Sequence, residues 1–513
     1  MTALDPALSP ATLGERAEQV LERLGGAGRL LFEGTEHSAG ELAARARRAA
    51  AGFAGLGVRP GDRVLVCMTN CPEVGISYAA LWRAGAVATP VLFLLTEDEI
   101  RHVVRDSGAH AAVTTPEWLP KVRAAAPGLP VVLVGAADPV PGTTSFAELE
   151  SGDELGLVDR TPDDMAALLY TGGTTGRSKG VVLTHASLDA AGAAGHAVGH
   201  RPGRTRSLLP LPLAHVYGLM VQVTGLHAVE PGLQVLMRWF DPAGFLALAE
   251  EHRVQQASLV PSMISMLLAQ PLEEHDLSSL ERIGSGGAPL APEVALALER
   301  RLPGVEVREG YGCTETSALI SAQPPDVPRR LGSVGTPVPG AQVRIEGPDG
   351  EVLPPGQDGE ICVRGRVLMQ GYWRDPQATA QVLRDGWLHT GDVGHLDDDG
   401  YLYVVDRLKD LIIRNGFNVF PRDVEDVLVA HPQVAAAAVV GRADPVVGEE
   451  VLAFVQLVPG ADVTPEQLVA HAREHLSAAK YPREVRVVDA VPLTSVFKTD
   501  RKALRALVQQ EEA

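Results

Sequence analysis

The sequence predicts an α/β protein with more than one domain. From residue 41 to about residue 134, helical and strand patterns alternate, and the same alternation returns over residues 207–309. Because strands joined through helices pair in parallel, each stretch predicts a parallel sheet with helices on both faces. The chain has 513 residues, which is too long for a single hydrophobic core.

Short segments support the first of these sheets. Residues 41–46 begin an Ala-rich amphipathic helix, residues 62–67 form an apolar run of strand length, and residues 74–83 are helical in pattern. Further apolar runs at 111–113 and 131–134 are typical of buried parallel strands. The order strand, helix, strand, strand is therefore expected in the N-terminal part of the chain.

The pattern changes over residues 343–364, where alternating strands are separated by Gly-rich turns. Such a segment indicates an antiparallel or barrel-like subdomain. We therefore expect a large N-terminal region, residues 1–405, that contains two parallel-sheet α/β subdomains and a β-barrel-like subdomain.

The clearest boundary falls at residues 406–410. A strand pattern at 401–405 ends there, and a small unit with its own apolar segments follows. This spacing predicts a hinge over 406–410 and an α+β C-terminal domain over 411–513.

Composition excludes several classes of protein. The chain has 45 Lys and Arg against 64 Asp and Glu, a formal net charge of −19, which argues against a nucleic-acid-binding protein. The four cysteines lack the spacing of a zinc site, and reduced thiols are the better interpretation. No signal peptide and no apolar run of membrane-spanning length is recognised, so a cytoplasmic location without an integral membrane segment is expected.

A loop rich in glycine and hydroxyl groups follows an apolar run at 165–169. Successive glycines let backbone N–H groups converge on an anion, and a lysine at the end supplies positive charge. The loop is not of the Walker type, because Gly176 is followed by Arg177 and Ser178. It predicts a nucleotide phosphate site made by Thr171, Gly172, Gly173, Thr174, Thr175, Gly176 and Lys179.

Four distant segments add to this loop, at residues 311–315, 390–392, 406–410 and 494–502. In this order and spacing the five motifs resemble the adenylate-forming superfamily, which includes acyl-CoA synthetases, stand-alone adenylation enzymes and luciferases. The resemblance covers nearly the whole chain. It implies ATP and Mg²⁺ as cofactors, CoA as co-substrate, and a C-terminal domain that is mobile.

The resemblance also assigns nucleotide contacts. Thr314 and Glu315 match residues that contact the α-phosphate and hold magnesium, with Glu315 as the metal ligand. Asp392 and Arg407 match ribose contacts. Tyr311 matches the ring that lies against adenine. The remaining predicted contacts are the adjoining Gly312 and a loop under the adenine and acyl group, Gly287, Ala288 and Pro289.

Four residues are candidates for catalysis: Thr314, Glu315, His215 and Lys498. Lys498 matches a lysine of the C-terminal domain that reaches the substrate carboxylate and the α-phosphate, and His215 matches a position near the incoming carboxylate. The residue before that lysine is usually Gly in the superfamily and is Phe497 here. If the turn needs a positive φ, Phe is costly at this position.

A second half-reaction is implied by the same resemblance. The C-terminal domain rotates about a hinge residue, here Lys409, and a loop then enters the active site beside the pantetheine tunnel. The residues that match this loop are Gly416, Phe417 and Asn418.

The predicted acyl pocket is mostly apolar and consists of Val216, Tyr217, Met220, Ser262 and Cys313. Relatives that adenylate amino acids place an Asp shortly after the His215 region, and residues 216–221 contain no carboxylate. A fatty, branched or aromatic acid is therefore expected. Residues 415–421 look most like those of fatty acyl-CoA ligases, which favours fatty acid metabolism.

The expected function is an ATP-dependent carboxylic acid–CoA ligase that gives acyl-CoA, AMP and pyrophosphate. One alternative is a stand-alone ligase that loads a carrier-protein phosphopantetheine, and a second is a non-catalytic acyl or nucleotide sensor. Expected partners are a small carboxylic acid and CoA or an acyl carrier protein, and a homodimer is an open alternative.

Overall fold

A computed structural model describes residues 10–171, 177–494 and 497–511. The helices are α1 (Leu13–Leu24), α2 (Ala39–Gly55), α3 (Pro72–Arg83), α4 (Glu97–Ser107), α5 (Leu119–Ala125), α6 (Phe146–Leu149), α7 (His185–Gly199), α8 (Val216–Gly225), α9 (Pro242–Glu251), α10 (Pro261–Leu268), α11 (Pro292–Arg301), α12 (Pro376–Val382), α13 (Pro421–Val429), α14 (Pro465–His475) and α15 (Arg501–Glu511). Short 3₁₀ helices cover Leu272–Glu274, Thr314–Thr316 and Leu408–Asp410.

The strands of the N-terminal half are β1 (Arg29–Phe32), β2 (Thr35–Ser38), β3 (Arg63–Cys67), β4 (Val87–Pro90), β5 (Ala111–Thr114), β6 (Val131–Leu133), β7 (Thr144–Ser145), β8 (Met165–Thr171), β9 (Lys179–Thr184), β10 (Arg206–Leu209), β11 (Leu233–Leu236), β12 (Gln256–Leu259), β13 (Arg282–Ser285) and β14 (Glu306–Tyr311). The later strands are β15 (Ser321–Ala322), β16 (Thr336–Pro337), β17 (Ala341–Glu346), β18 (Gly359–Gly365), β19 (Gly371–Tyr372), β20 (Leu383–Arg384), β21 (Trp387–Leu396), β22 (Leu402–Arg407), β23 (Ile412–Arg414), β24 (Phe417–Val419), β25 (Val434–Asp444), β26 (Gly448–Leu457) and β27 (Glu484–Val488).

Two large sheets form the N-terminal part. One has eight strands in the order β19-β9-β8-β4-β3-β5-β6-β7, and its strands from β8 to β7 are parallel. The other has nine strands in the order β16-β15-β14-β13-β12-β10-β11-β1-β2, and it is parallel from β14 to β1. Both predicted parallel sheets are therefore confirmed. The β1–β2 hairpin, which precedes the first sheet in the chain, pairs with the second sheet.

The predicted local elements are present for identifiable reasons. Helix α2 begins where Ser38 and Glu41 form a reciprocal capping box, and α3 begins with Pro72, whose fixed φ suits the first turn. Strand β3 is almost fully buried, as its apolar run predicts.

The segment predicted to form a barrel-like subdomain forms an antiparallel sheet of β17, β18, β20, β21 and β22. The last part of the chain forms a five-stranded sheet of β23–β27 with α13, α14 and α15, which confirms the α+β class of this part. Two hydrophobic clusters consist of residues between Ile412 and Val508. The domain limits themselves stay a prediction.

The carboxyl ends of the parallel strands bring the candidate residues to one edge. Strand β14 ends at Tyr311, and β13 ends two residues before Gly287. Ligands of open α/β sheets bind at this edge because the loops that follow parallel strands converge there. In the part of the chain that the structure describes, no helix is both long and apolar enough to span a membrane.

A buried ion pair joins the first helix to the interior. The Arg16 guanidinium donates two hydrogen bonds to the Asp189 carboxylate, at 2.9 and 2.8 Å, and both side chains are buried. The His227 ring lies 3.0 Å from the same carboxylate. Removal of one partner from a buried pair leaves a charge without compensation, so this network should be costly to break.

We therefore predict that Asp189→Ala lowers the free energy of unfolding by about 3–5 kcal/mol. The control is Glu36→Ala, which removes the exposed Arg29–Glu36 pair and should cost less than about 1 kcal/mol. Urea unfolding of both variants measures the difference. Equal shifts would show that the buried pair contributes no more than the exposed one.

Candidate active site

The phosphate side of the site lies between β8 and β9. Thr171 ends β8 and Lys179 begins β9, and these two residues pair directly across the strands. The Lys179 ammonium lies 5.0 Å from the centre of the Tyr372 ring, a cation–π contact. The predicted loop residues Gly172, Gly173, Thr174, Thr175 and Gly176 lie outside the described residues, so their role stays a prediction.

Tyr372 links this lysine to the predicted metal ligand. Its hydroxyl donates a hydrogen bond of 2.9 Å to Glu315 Oε1. Glu315 lies in the 3₁₀ helix that starts at Thr314, and its carbonyl accepts from the Met369 amide at 2.8 Å. Mg²⁺ takes one or two carboxylates together with phosphate oxygens, and a carboxylate fixed close to a phosphate lysine fits that requirement.

Asp392 joins two other predicted residues. Its Oδ2 accepts a 2.6 Å hydrogen bond from the Tyr311 hydroxyl, and its Oδ1 lies 3.0 Å from Arg407 Nε. Asp392 is buried, and it faces Arg407 in the β21–β22 register. The structure thus brings the predicted adenine and ribose residues into one cluster.

The backbone around Asp392 is held by a residue that sequence reasoning missed. Glu360 Oε1 accepts a 3.0 Å hydrogen bond from the Gly391 amide, and Thr390 Oγ1 donates to the Ile361 carbonyl at 2.8 Å. Gly391 has φ +72°, which favours glycine. Glu360 therefore fixes the turn that presents Asp392.

His215 caps helix α8 at the edge of the site. Its Nδ1 accepts a 3.2 Å hydrogen bond from the Tyr217 amide. Burial, and then the positive charge of Lys498, lower the pKa of His215 to about 3. The ring is therefore neutral at physiological pH, and because Nδ1 is an acceptor the proton resides on Nε2.

Lys498 comes from the last part of the chain and lies over the Gly287 loop. A side-chain carbon on Gly287 would be 3.5 Å from Lys498 Cε and 3.9 Å from Nζ. Burial first, and then the charge of Arg407, lower the pKa of Lys498 to about 8, while Asp392 acts in the opposite direction. The lysine is therefore part of the same site as Asp392, Arg407 and His215.

The turn before Lys498 has the positive φ at residue 497 that makes a side chain costly there. Phe497 has φ +58°. Its amide donates to the Thr494 carbonyl at 3.0 Å, and the Thr494 amide donates to the Lys498 carbonyl at 2.6 Å. A residue with a side chain pays about 1–2 kcal/mol for this left-handed conformation, whereas glycine does not.

The five predicted acyl-pocket residues line one cavity, and their role as an acyl pocket stays a prediction. Val216 and Met220 are buried on α8, and Cys313 is partly buried. The Tyr217 ring packs against the backbone just after β13, since a side-chain carbon on Gly286 would be 3.4 Å from the ring. The Ser262 hydroxyl also donates a 2.5 Å hydrogen bond to the Phe497 carbonyl, and its role in the acyl pocket stays a prediction.

The predicted hinge residue lies near Arg407 and Asp392, whereas the predicted thiol loop lies on a separate turn. Lys409 lies in the 3₁₀ helix Leu408–Asp410, whose Asp410 pairs with Arg505 of α15 at 2.7 Å. Gly416, Phe417 and Asn418 form the β23–β24 turn and the start of β24, where the Phe417 side chain is 61% exposed. The structure does not place these three residues at the site, and their roles stay predictions.

The fold and the site define an adenylate-forming enzyme. The chain belongs to the AMP-binding enzyme family: the family model matches residues 17–373, and that of the AMP-binding enzyme C-terminal domain matches residues 423–498.

Three similar proteins illustrate the match. The chain is 38% identical over 472 residues to a feruloyl-CoA synthase of Amycolatopsis sp, covering 91% of this chain and 92% of that one. It is 36% identical to 4-coumarate–CoA ligase 3 of Oryza sativa subsp. japonica, covering 92% and 87%. The crystal structure of the anthranilate CoA ligase AuaEII, in complex with anthranoyl-AMP, has a TM-score of 0.92 at 25% identity and covers 100% of both chains.

These findings confirm the predicted superfamily and an ATP-dependent acid–thiol ligase with Mg²⁺ as cofactor and CoA as co-substrate. The prediction of a fatty acid is not confirmed, because the relatives are named for aromatic acids. A carrier-protein acceptor is not favoured by these relatives, and the homodimer stays a prediction.

We predict that the Lys498 amine titrates near pH 8, well below the ordinary lysine value of 10.5. Arg407→Gln should raise the pKa of Lys498, because it removes a neighbouring positive charge that disfavours protonation. Competitive acetylation over a pH series, read by mass spectrometry of the Lys498 peptide, measures both values. Arg384→Gln, at an exposed position on β20, serves as the control. A pKa of Lys498 at the ordinary value, or one that Arg407→Gln leaves unchanged, would contradict the placement of Lys498 beside Arg407.

Proposed function

We propose that this enzyme activates a flat aromatic acid of the arylpropenoate type as its acyl-adenylate and then transfers the acyl group to CoA. The observation that carries the proposal is the position of Lys498 over the Gly287 loop, beside Arg407 and Asp392. A fixed positive charge is required where a carboxylate approaches the α-phosphate, since the two anions repel each other.

The first half-reaction uses charges that are already in place. Lys498 is protonated below about pH 8 and stabilises the charge that develops between carboxylate and α-phosphate. His215 donates from Nε2 to a carboxylate oxygen of the substrate and stays neutral throughout. When bound, Mg²⁺ neutralises phosphate charge, with Glu315 as its protein ligand and Thr314 at the α-phosphate.

The nucleoside is held by the Asp392 cluster. Asp392 Oδ2 accepts a hydrogen bond from Tyr311 and Oδ1 pairs with Arg407, and each oxygen has a further lone pair for a ribose hydroxyl. Arg407 supplies the second ribose contact. Tyr311 lies against adenine beside Gly312, and the Gly287, Ala288 and Pro289 loop passes beneath it.

The shape of the acyl side supports a flat substrate. Glycines at 284 and 286 leave the β13 end without side chains opposite Tyr217, and Val216 and Met220 add apolar walls. Apolar walls suit an aromatic ring, whereas an α-amino acid finds no carboxylate among residues 216–221. The names of the similar ligases, for ferulate and 4-coumarate, point to the same class.

For the second half-reaction, the C-terminal domain rotates about Lys409 and brings Gly416, Phe417 and Asn418 to the pantetheine path. The 61% exposure of the large Phe417 ring supports this step, because an apolar side chain at a turn gains from later burial. The proposed domain limits, 1–405 and 411–513 with a hinge at 406–410, follow from the same motion.

A substrate panel tests the proposal. We expect CoA- and ATP-dependent conversion of 4-coumarate and ferulate to their CoA thioesters, with kcat/KM at least about tenfold above that for octanoate or palmitate. Pyrophosphate release with and without CoA, and mass spectrometry of the products, measure this. Preference for a fatty acid would overturn the acid class. Acyl-AMP that persists despite CoA would favour a carrier-protein ligase, and no turnover with any acid would favour a sensor.

A second prediction concerns the lysine. Lys498→Ala should lower acyl-adenylate formation by about 100-fold or more, because it removes a fixed charge at the transition state. Thioester formation from supplied acyl-adenylate should be retained. Lys502→Ala removes an exposed lysine of α15 and should leave both steps unchanged. Undiminished adenylation by Lys498→Ala would refute the assignment.

A further inference from the structure

Phe497 has a side chain where the turn geometry favours glycine, and that side chain makes a specific contact. Its ring centre lies 5.2 Å from that of Trp239 and 6.0 Å from that of Phe240. Trp239 in turn lies 5.2 Å from Phe93, which lies 4.7 Å from Trp118. Aromatic residues make up only 4% of the chain, so this aromatic row of Phe93, Trp118, Trp239 and Phe240 is a marked local concentration.

The contact joins distant parts of the molecule. The aromatic row belongs to the N-terminal region: Trp239 and Phe240 follow β11, and Phe93 follows β4. Phe497 precedes Lys498 in the C-terminal part. A second bond supports the same junction, because Ser262 Oγ on α10 donates to the Phe497 carbonyl at 2.5 Å. Residue 497 is therefore held on the N-terminal region through both its ring and its backbone.

A glycine at this position would satisfy the φ of +58° without strain, but it would make no ring contact. Strained backbone persists where the surrounding contacts determine it. We propose that Phe497 is a positioning residue that anchors the Lys498 turn to the aromatic row and so fixes the lysine over Gly287. This inference rests on the proposed role of Lys498 in adenylation.

Loss of the Phe497 anchor should affect the two half-reactions differently. The anchor aligns Lys498 for adenylation, so its loss should slow that step. Rotation of the C-terminal domain must withdraw the Phe497 ring from Trp239, so loss of the anchor should not slow thioester formation. If Phe497 merely shaped the turn, its replacement by glycine would not slow adenylation, since glycine suits the left-handed backbone of the turn.

Three measurements on Phe497→Gly test the proposal: acid-dependent ATP–pyrophosphate exchange, thioester formation from supplied acyl-adenylate, and acetylation of Lys498 without substrates. We expect exchange to fall by roughly tenfold to a hundredfold, the thioester step to be retained, and Lys498 to react several-fold faster with acetic anhydride. Phe497→Tyr keeps the ring and should behave as the unmodified enzyme. Thermal unfolding shows whether each variant is folded.

Two further variants locate the effect. Trp239→Leu should reproduce the loss in exchange, and the double variant should be no worse than Phe497→Gly alone, because both changes break one contact. Leu493→Ala changes an exposed side chain of the same segment and is the matched control, expected to resemble the unmodified enzyme.

The outcomes separate the anchor from the proposed function. Exchange and acetylation in Phe497→Gly equal to those of the unmodified enzyme would overturn the anchor, as would independent, additive losses in the double variant. If no acid supports turnover in the unmodified enzyme, the proposed function fails, but acetylation still decides: faster Lys498 acetylation in Phe497→Gly supports the anchor, and an unchanged rate overturns it.

Discussion

Placement of the Lys498 ammonium over the Gly287 loop is the constraint on which the site depends. In the proposed reaction a carboxylate approaches a phosphate, and the charge proposed to offset their repulsion is that of Lys498, in the last part of the chain. Residue 287 has φ +82°, which favours glycine, and a side-chain carbon there would lie in van der Waals contact with Lys498 Cε, at 3.5 Å. The parallel sheet positions the Gly287 loop and Tyr311, since β13 and β14 end at the same edge of the sheet.

Burial of the Lys498 amine also lowers its pKa, which disfavours the positive charge that the proposed reaction needs. Desolvation and Arg407 both favour the neutral form of Lys498, and Asp392 opposes them. The Asp392 carboxylate thus has two effects: it orients Tyr311 and Arg407, and it helps to keep the lysine protonated. Burial and the charge of Lys498 likewise favour the neutral form of His215, and a neutral ring next to Lys498 adds no repulsion. The polar groups of the site therefore act as one electrostatic unit.

Sequence reasoning succeeded where the signal is local and failed where it depends on pairing. The β3 run and the α3 start are readable from periodicity and Pro72, and Asp392 lies within a short motif. Tyr372, by contrast, meets Glu315 from 57 positions away, because β19 pairs with β9. Glu360 supports Gly391 only through strand pairing, 31 positions away. The Ser262 hydroxyl bonds a residue 235 positions away, a contact that no local pattern reports.

Phe497 shows how one residue can couple local strain to alignment. Its left-handed backbone is unfavourable for any residue with a side chain. The tilted ring contact with Trp239 is worth about 0.5–1.5 kcal/mol beyond simple burial, which is similar in size to the strain. The anchor therefore adds little net stability. Its effect is on geometry, because strain and packing are both satisfied only when the turn is seated on the N-terminal region. A contact of this kind favours one domain arrangement without making it irreversible, which is what the proposed rotation between two half-reactions requires.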